Sequence, residues 1–302
     1  MSLSHRPAFR PRRRGPVALA VLAGLLALPA QAGGPSRSLA IAWSSQAASG
    51  PVTETARAQR SSLRLLPGWQ TAGGGRIAGL TIEIDDGWKT YWRVPGDAGI
   101  PPEFDWSGSE NVASVEVLWP RPVAFDLFGM TTLGYKREVT LPLKVTPVDP
   151  SRPATLRLSL AYGVCEDICM PEMAEVSLPL VPQAEGGRAR IEQAMAALPE
   201  SPQASGARLS DCVLTGEGEA RRLEARLSLP APPDGPLHTI VEAAGPMWFE
   251  PAELSPATGD LPMRLTARLD PASGEGWLAR GGGASATICR SPSHTGELSC
   301  AR

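Results

Sequence analysis

The chain has 302 residues, enough for one large or two ordinary domains with a substantial hydrophobic core. Hydrophobic residues make up 42% and charged residues 20%, which excludes an intrinsically disordered chain. Of 29 Lys+Arg, five (Arg6, Arg10, Arg12, Arg13, Arg14) lie in the first 14 residues, which hold no acid; without that segment 24 face 31 Asp+Glu, a net charge of −7. An acidic body with no basic cluster is unsuited to nucleic acid or anionic lipid. Gly and Pro number 31 each, which argues against long helices.

The arginines lead into an apolar run, Pro16 to Leu28, then Pro29 and Ala30-Gln31-Ala32. That order of charge, apolar stretch and small residues predicts a signal peptide over 1–32, with the mature chain starting near Gly33 in an oxidising exported compartment. The run falls short of the roughly 20 residues that span a bilayer. An uncut anchor is the competing reading. No later apolar run reaches spanning length, so no stable membrane insertion is expected. Residues 33–60, rich in Ala, Ser, Gly and Gln, read as a flexible lead-in.

From there the apolar pattern has period two. Leu80, Ile82 and Ile84 alternate with polar residues, as do Val115, Val117 and Trp119; Val139 to Val145; Leu156 to Tyr162; and Val176, Leu178 and Leu180. Such runs, broken by Gly, Pro and Asp turns, predict antiparallel strands with one buried face. The fold class expected is all-β: an antiparallel sandwich over 61–182, followed by a smaller second β-rich domain over 207–302. The linker, 183–206, carries one helical pattern (Ile191, Met195, Leu198) stopped by Pro199 and Pro202. The second domain shows Leu223 to Leu229, Leu265 to Leu269, and Ala286 to Cys289.

Five cysteines follow the leader: Cys165, Cys169, Cys212, Cys289 and Cys300. Cys165 and Cys169 occupy a loop or strand end in Tyr162-Gly163-Val164-Cys165-Glu166-Asp167-Ile168-Cys169-Met170-Pro171. In the chain-entropy model a bond closing so short a loop stabilises a fold by only about 2 kcal/mol. Such a bond suits opening and closing; a structural pin on the turn is the alternative. A metal site lacks ligands, although Met170 and Met173 could join the cysteines on Cu(I). Glu166, Asp167 and Glu172 surround the pair without a basic residue in the loop, which predicts raised thiol pKa values and selective exchange. Cys212, Cys289 and Cys300 allow several pairings.

The cysteine segment resembles the redox loop of the DsbD N-terminal domain family, closest to its ScsB-type branch. Gly87-Trp88-Lys89-Thr90-Tyr91-Trp92-Arg93-Val94-Pro95-Gly96-Asp97 to Pro102, and Asp105-Trp106-Ser107-Gly108 to Asn111, are similar to that branch too. Phe125-Asp126-Leu127-Phe128-Gly129 resembles the family's cap loop. The resemblance covers roughly 60–182. It implies an immunoglobulin-like sandwich, periplasmic location and a redox pair that works without a cofactor or metal. It implies that Cys169 forms the mixed disulfide and Cys165 resolves it, while Asp126, Leu127 and Phe128 shield the sulfurs. The implied partners are a membrane thiol–disulfide electron donor supplied in trans and exported thiol proteins, among them disulfide isomerases, cytochrome c maturation proteins and copper-stress proteins. DsbD itself has a longer spacing between its cysteines, and this chain has no Cys-x-x-Cys and no thioredoxin-like segment.

Other features read plainly. Trp88, Tyr91, Trp92, Trp106 and Trp119 suggest core packing and edge coverage ahead of a docking surface. Gly73-Gly74-Gly75 lacks the context of a phosphate loop, and no nucleophile elbow is present. Two functions stand: a protein-disulfide reductase component exchanging through Cys165 and Cys169, or a non-catalytic β-sandwich adaptor or copper-handling protein.

Overall fold

The structure is a computed structural model that describes residues 54–127, 129–181, 185–216, 221–230, 237–243, 249–250, 252–255, 262–268, 284–290 and 299–301. The expected signal peptide, most of the lead-in, Phe128 and Leu269 lie outside the described residues. Eleven strands come first: β1 (Thr55–Arg57), β2 (Ser61–Gln70), β3 (Arg76–Ile84), β4 (Lys89–Gly96), β5 (Glu103–Asp105), β6 (Val112–Val117), β7 (Val123–Leu127), β8 (Met130–Lys136), β9 (Glu138–Pro147), β10 (Ala154–Cys165) and β11 (Cys169–Leu180). They form two antiparallel sheets, ordered β1-β2-β3-β9-β6 and β11-β10-β4-β8-β7, with β5 added against β10. The fold is the all-β, immunoglobulin-like arrangement expected.

Period-two patterning accounts for the core. Leu63, Leu65, Leu80, Ile82, Leu141 and Leu143 point inward from one sheet; Trp92, Leu133, Leu156, Leu158, Leu160 and Val176 meet them from the other. Tyr91 and Trp92 are both buried, while Trp88, Trp106 and Trp119 pack partly buried against the core. The aromatic density therefore serves packing, with Phe104 edge-on to Trp119. The strand Thr55–Arg57 falls inside the stretch expected as a lead-in. It is a three-residue edge pairing with β2, too short for an alternation to show.

The chain continues with α1 (Arg188–Ala196), α2 (Pro202–Ser205), β12 (Arg208–Thr215), β13 (Arg222–Ser228), β14 (Leu237–Ala243), β15 (Glu253–Ser255), β16 (Met263–Arg268), β17 (Ala284–Arg290) and β18 (Ser299–Ala301). The helix α1 seats Ile191 against Gly79, where a Cβ would lie 2.9 Å from the isoleucine Cγ1. The sheets β12-β13-β16-β15 and β14-β17-β18 follow. Leu223, Ala225, Val241, Leu265 and Ala267 make a small core of their own. Contact is nonetheless continuous with the sandwich, since Ile240 joins its core and Glu242 pairs with Arg93 of β4, Nη2 to Oε2 at 2.9 Å. Ala47–Arg302 form one compact unit.

The position of β4 decides where the functional residues stand. It lies between β10 and β8, and at Gly134 of β8 the backbones approach so closely that a Cβ would sit 2.0 Å from the Thr90 carbonyl oxygen. Replacing Gly134 by alanine must push the strands apart. Gly134→Ala should lower stability by about 1–3 kcal/mol, the usual cost of overpacking, as read from urea unfolding.

Candidate redox site

β10 and β11 pair without interruption from Ala154↔Leu180 to Cys165↔Cys169. The last rung is covalent: Cys165 and Cys169 form a disulfide with a Cα–Cα distance of 4.1 Å. Glu166, Asp167 and Ile168 make the turn between them, all exposed. The two cysteines are unequal. Cys165 is fully buried and Cys169 is exposed.

The buried side is built by β4. Upstream, β10 pairs with β5 through Ser159, Leu160 and Ala161; only at Val164 and Cys165 does β4 take over, opposite Thr90 and Lys89. Gly163 sits at this change of partner, with Ile100 packed where a Cβ would be, 2.7 Å from the isoleucine Cβ. The Thr90 hydroxyl donates to the Gly163 carbonyl at 2.8 Å. This register sends the Tyr91 hydroxyl to the sulfurs: it donates to Cys165 Sγ at 2.7 Å and lies 3.1 Å from Cys169 Sγ. Burial pushes the Tyr91 phenol above its ordinary pKa, so it remains a donor at neutral pH. Gly99, at φ +132°, lies flat on the Tyr91 ring, with room for no side chain.

Farther down the hairpin, Glu172 is buried opposite Tyr162 and accepts from the Ser61 hydroxyl, the Tyr162 hydroxyl at 3.1 Å and the Arg60 amide. This network ties the start of β2 to the base of the redox turn. The acid that the sequence places among the cysteines' neighbours is thus consumed by structural bonds.

Two cations stand on the other side. Lys89 is directly opposite Cys165, and Lys136 of β8 is opposite Lys89. Both ammonium groups lie over the Phe125 ring, at 5.1 and 4.9 Å from its centroid. Burial, and then the charge of Lys136, hold Lys89 below the usual lysine pKa. The sequence-based electrostatics considered only the loop and missed these lysines. The available signal was that Lys89 and Tyr91 are two apart and share one strand face.

Of the expected cap residues, Asp126 and Leu127 belong to the β7–β8 hairpin. Asp126 is exposed and its carboxylate accepts from the Gly129 amide at 3.3 Å, closing the turn; Leu127 stands opposite Met130 in the backbone register. Phe128 lies outside the described residues. The hairpin is tied towards the site through Asp97, whose carboxylate accepts from the Thr131 amide at 2.7 Å and whose amide donates to the Thr131 carbonyl at 3.0 Å. Asp97 opens the short segment that lays Gly99 on Tyr91. Among the other cysteines, Cys289 is opposite Cys300 in the register of β17 and β18. Cys212 is a free, exposed thiol in a β-bulge, its pKa pushed up by desolvation and by Asp211. Among the described residues no group of three or more His, Cys, Asp or Glu could hold a metal ion.

A disulfide on the turn of a sandwich hairpin, one cysteine buried and the other exposed, has the form that thiol–disulfide interchange requires. Residues 62–180 match the model of the family described as thiol:disulfide interchange protein DsbD, N-terminal, and over that span the chain resembles that domain. The crystal structure of the N-terminal periplasmic domain of ScsB from Proteus mirabilis is similar over 82% of this chain and 97% of its own, with TM-score 0.55 and 22% identity. That coverage exceeds the family match, so the shared fold reaches into the second β region. The N-terminal domain of Neisseria meningitidis DsbD, in its reduced form, matches over 34% of this chain and 74% of its own, with TM-score 0.21 and 18% identity. No curated protein matches the chain.

The Tyr91 bond yields a direct test. A hydroxyl bonded to a charged acceptor is worth about 1 kcal/mol more than one bonded to a neutral acceptor, so Tyr91 favours thiolate over disulfide. Tyr91→Phe should therefore make the pair harder to reduce, lowering its potential by about 20 mV, measured against a glutathione or dithiothreitol series.

Proposed function

We propose that the chain is an exported, periplasmic redox module that passes reducing equivalents through Cys165 and Cys169, from a membrane thiol–disulfide donor to other exported thiol proteins. The observation that carries this reading is the inequality of the two sulfurs. A partner thiolate can reach Cys169 and not Cys165, so exchange has one entry point. Attack at Cys169 Sγ forms a mixed disulfide and releases Cys165 as a thiolate; a second donor thiolate then displaces Cys169, leaving the pair reduced and the donor oxidised. With an oxidised acceptor the same steps run in reverse, and the adjacent Cys165 acts at high effective concentration to release the product.

Two features support docking on this turn. Ile168, next to Cys169, is 74% exposed and gives a partner an apolar contact beside the reacting sulfur. The β7–β8 hairpin, with Asp126, Leu127 and Phe128, serves as the cap that a partner displaces, anchored by the Asp97–Thr131 bonds. Periplasmic placement rests on the leader pattern of residues 1–32 and on the family of the 62–180 domain; among the described residues no helix is long and apolar enough to cross a membrane.

The test is capture. Cys165→Ser should accumulate covalent complexes through Cys169 that dithiothreitol dissolves, while Cys169→Ser should capture none. The wild-type pair should equilibrate between about −120 and −270 mV, the range of working oxidoreductases; a value below about −300 mV would identify a structural bond.

A further inference from the structure

Cys165, Lys89 and Lys136 form one row across β10, β4 and β8. Directly opposed residues project from the same face, with neighbouring Cβ atoms about 4.5–5.5 Å apart. Tyr91, two residues after Lys89, shares that face, and its hydroxyl on both sulfurs marks it as the disulfide's side. Lys89 is 8% exposed, and among the described residues no carboxylate forms an ion pair with it or with Lys136.

The surrounding charges do not relieve this. Lys136 comes from β8 and Phe125 of β7 contributes only a ring face. Asp126 is bonded into its own turn. From the β10–β11 turn, the Glu166 carboxylate packs on Gly87, 2.5 Å from where a Cβ would be. A covered lysine beside a second lysine, with no counter-ion, is a costly arrangement while the disulfide is closed and neutral. Opening the bond supplies the missing negative charge.

We propose that Lys89, backed by Lys136, is a positioning charge for the Cys165 thiolate and thereby makes Cys165 the leaving group and Cys169 the sulfur attacked. The step balances without a proton. The partner thiolate donates an electron pair to Cys169 Sγ, the Cys165–Cys169 bond breaks with its pair on Cys165 Sγ, and Lys89 supplies the facing positive charge. The partner sulfur is oxidised to the mixed disulfide and Cys165 is reduced. A thiol of lower pKa leaves faster, so the lysine row and the exposure of Cys169 select the same sulfur. Burial and then the charge of Lys136 lower the Lys89 pKa in the closed state, in the direction expected of a cation without a facing anion. This inference rests on the interchange reading of the disulfide.

The experiment titrates Cys165 by thiolate absorbance in the Cys169→Ser background. Lys89→Met keeps the stem over Phe125 and removes the charge; it should raise the Cys165 pKa by about one unit, a tenfold loss of thiolate at neutral pH. Lys89→Arg should restore most of it. Lys136→Met, at an exposed position, should shift the pKa the same way by a smaller step, and keeps the test decisive if Lys89→Met does not fold. A Cys165 pKa unmoved by these changes overturns the role of the lysines. With both cysteines present, the parent should open in dithiothreitol and Lys89→Met should open more slowly. A parent that does not open defeats the interchange reading itself, which is a separate outcome.

Discussion

The two-rung pairing of β4 with β10 is the constraint on which the rest depends. β10 is shared: β5 holds it through Ala161, and β4 holds only Val164 and Cys165. The change of partner requires Gly163, because Ile100 fills the place of its side chain. Without that switch β4 could not present Lys89 and Tyr91 to the sulfurs. A hydroxyl donor therefore reaches the covered sulfur, and Lys89 stands in register opposite Cys165, on a rigid strand in place of a flexible loop.

From this register follows a division of labour between chemically identical residues. Cys165 ends an inner strand of the sheet, in reach of Tyr91 and opposite Lys89; Cys169 begins the edge strand β11, beyond an acidic turn. Nearby anions disfavour a thiolate and nearby cations favour it. The environment is thus graded across a single bond, and in the proposed exchange the gradient has the sign that would direct attack to Cys169. The acidic turn and the lysine row are complementary parts of one device.

Much of the fold was legible because burial on one face imposes alternation. The runs in β3, β9, β10, β11, β13 and β16 announce themselves in this way, and the inward residues are those named from the pattern. β2 escaped notice because Pro67 and Gly68 put a bulge in its middle, shifting the register between Leu66 and Trp69. β4 escaped because Tyr91 and Trp92 are buried on both faces, which erases the period. Cys165 and Cys169 were legible from spacing and neighbours. Lys89, Lys136, Phe125 and Tyr91 were not legible as a site, since their meeting depends on which strands lie side by side. That is non-local information carried by Gly163 and Gly134 as much as by the residues that meet.

The same geometry explains how the bond can open without loosening the domain. In the chain-entropy model so short a ring contributes only about 2 kcal/mol. The rungs beneath it are held independently, by the buried bonds of Glu172 to Ser61, Tyr162 and Arg60, and by the leucines of β10 in the sandwich core. Breaking the top rung leaves eleven paired positions below it, from Ala154↔Leu180 to Val164↔Met170. The strand that carries Lys89 and Tyr91 is held by its own pairing with β8, independently of the sulfur–sulfur bond. In the proposed function, a redox element set at the end of a hairpin held in this way would alternate between states without drawing on the bonds that hold the domain.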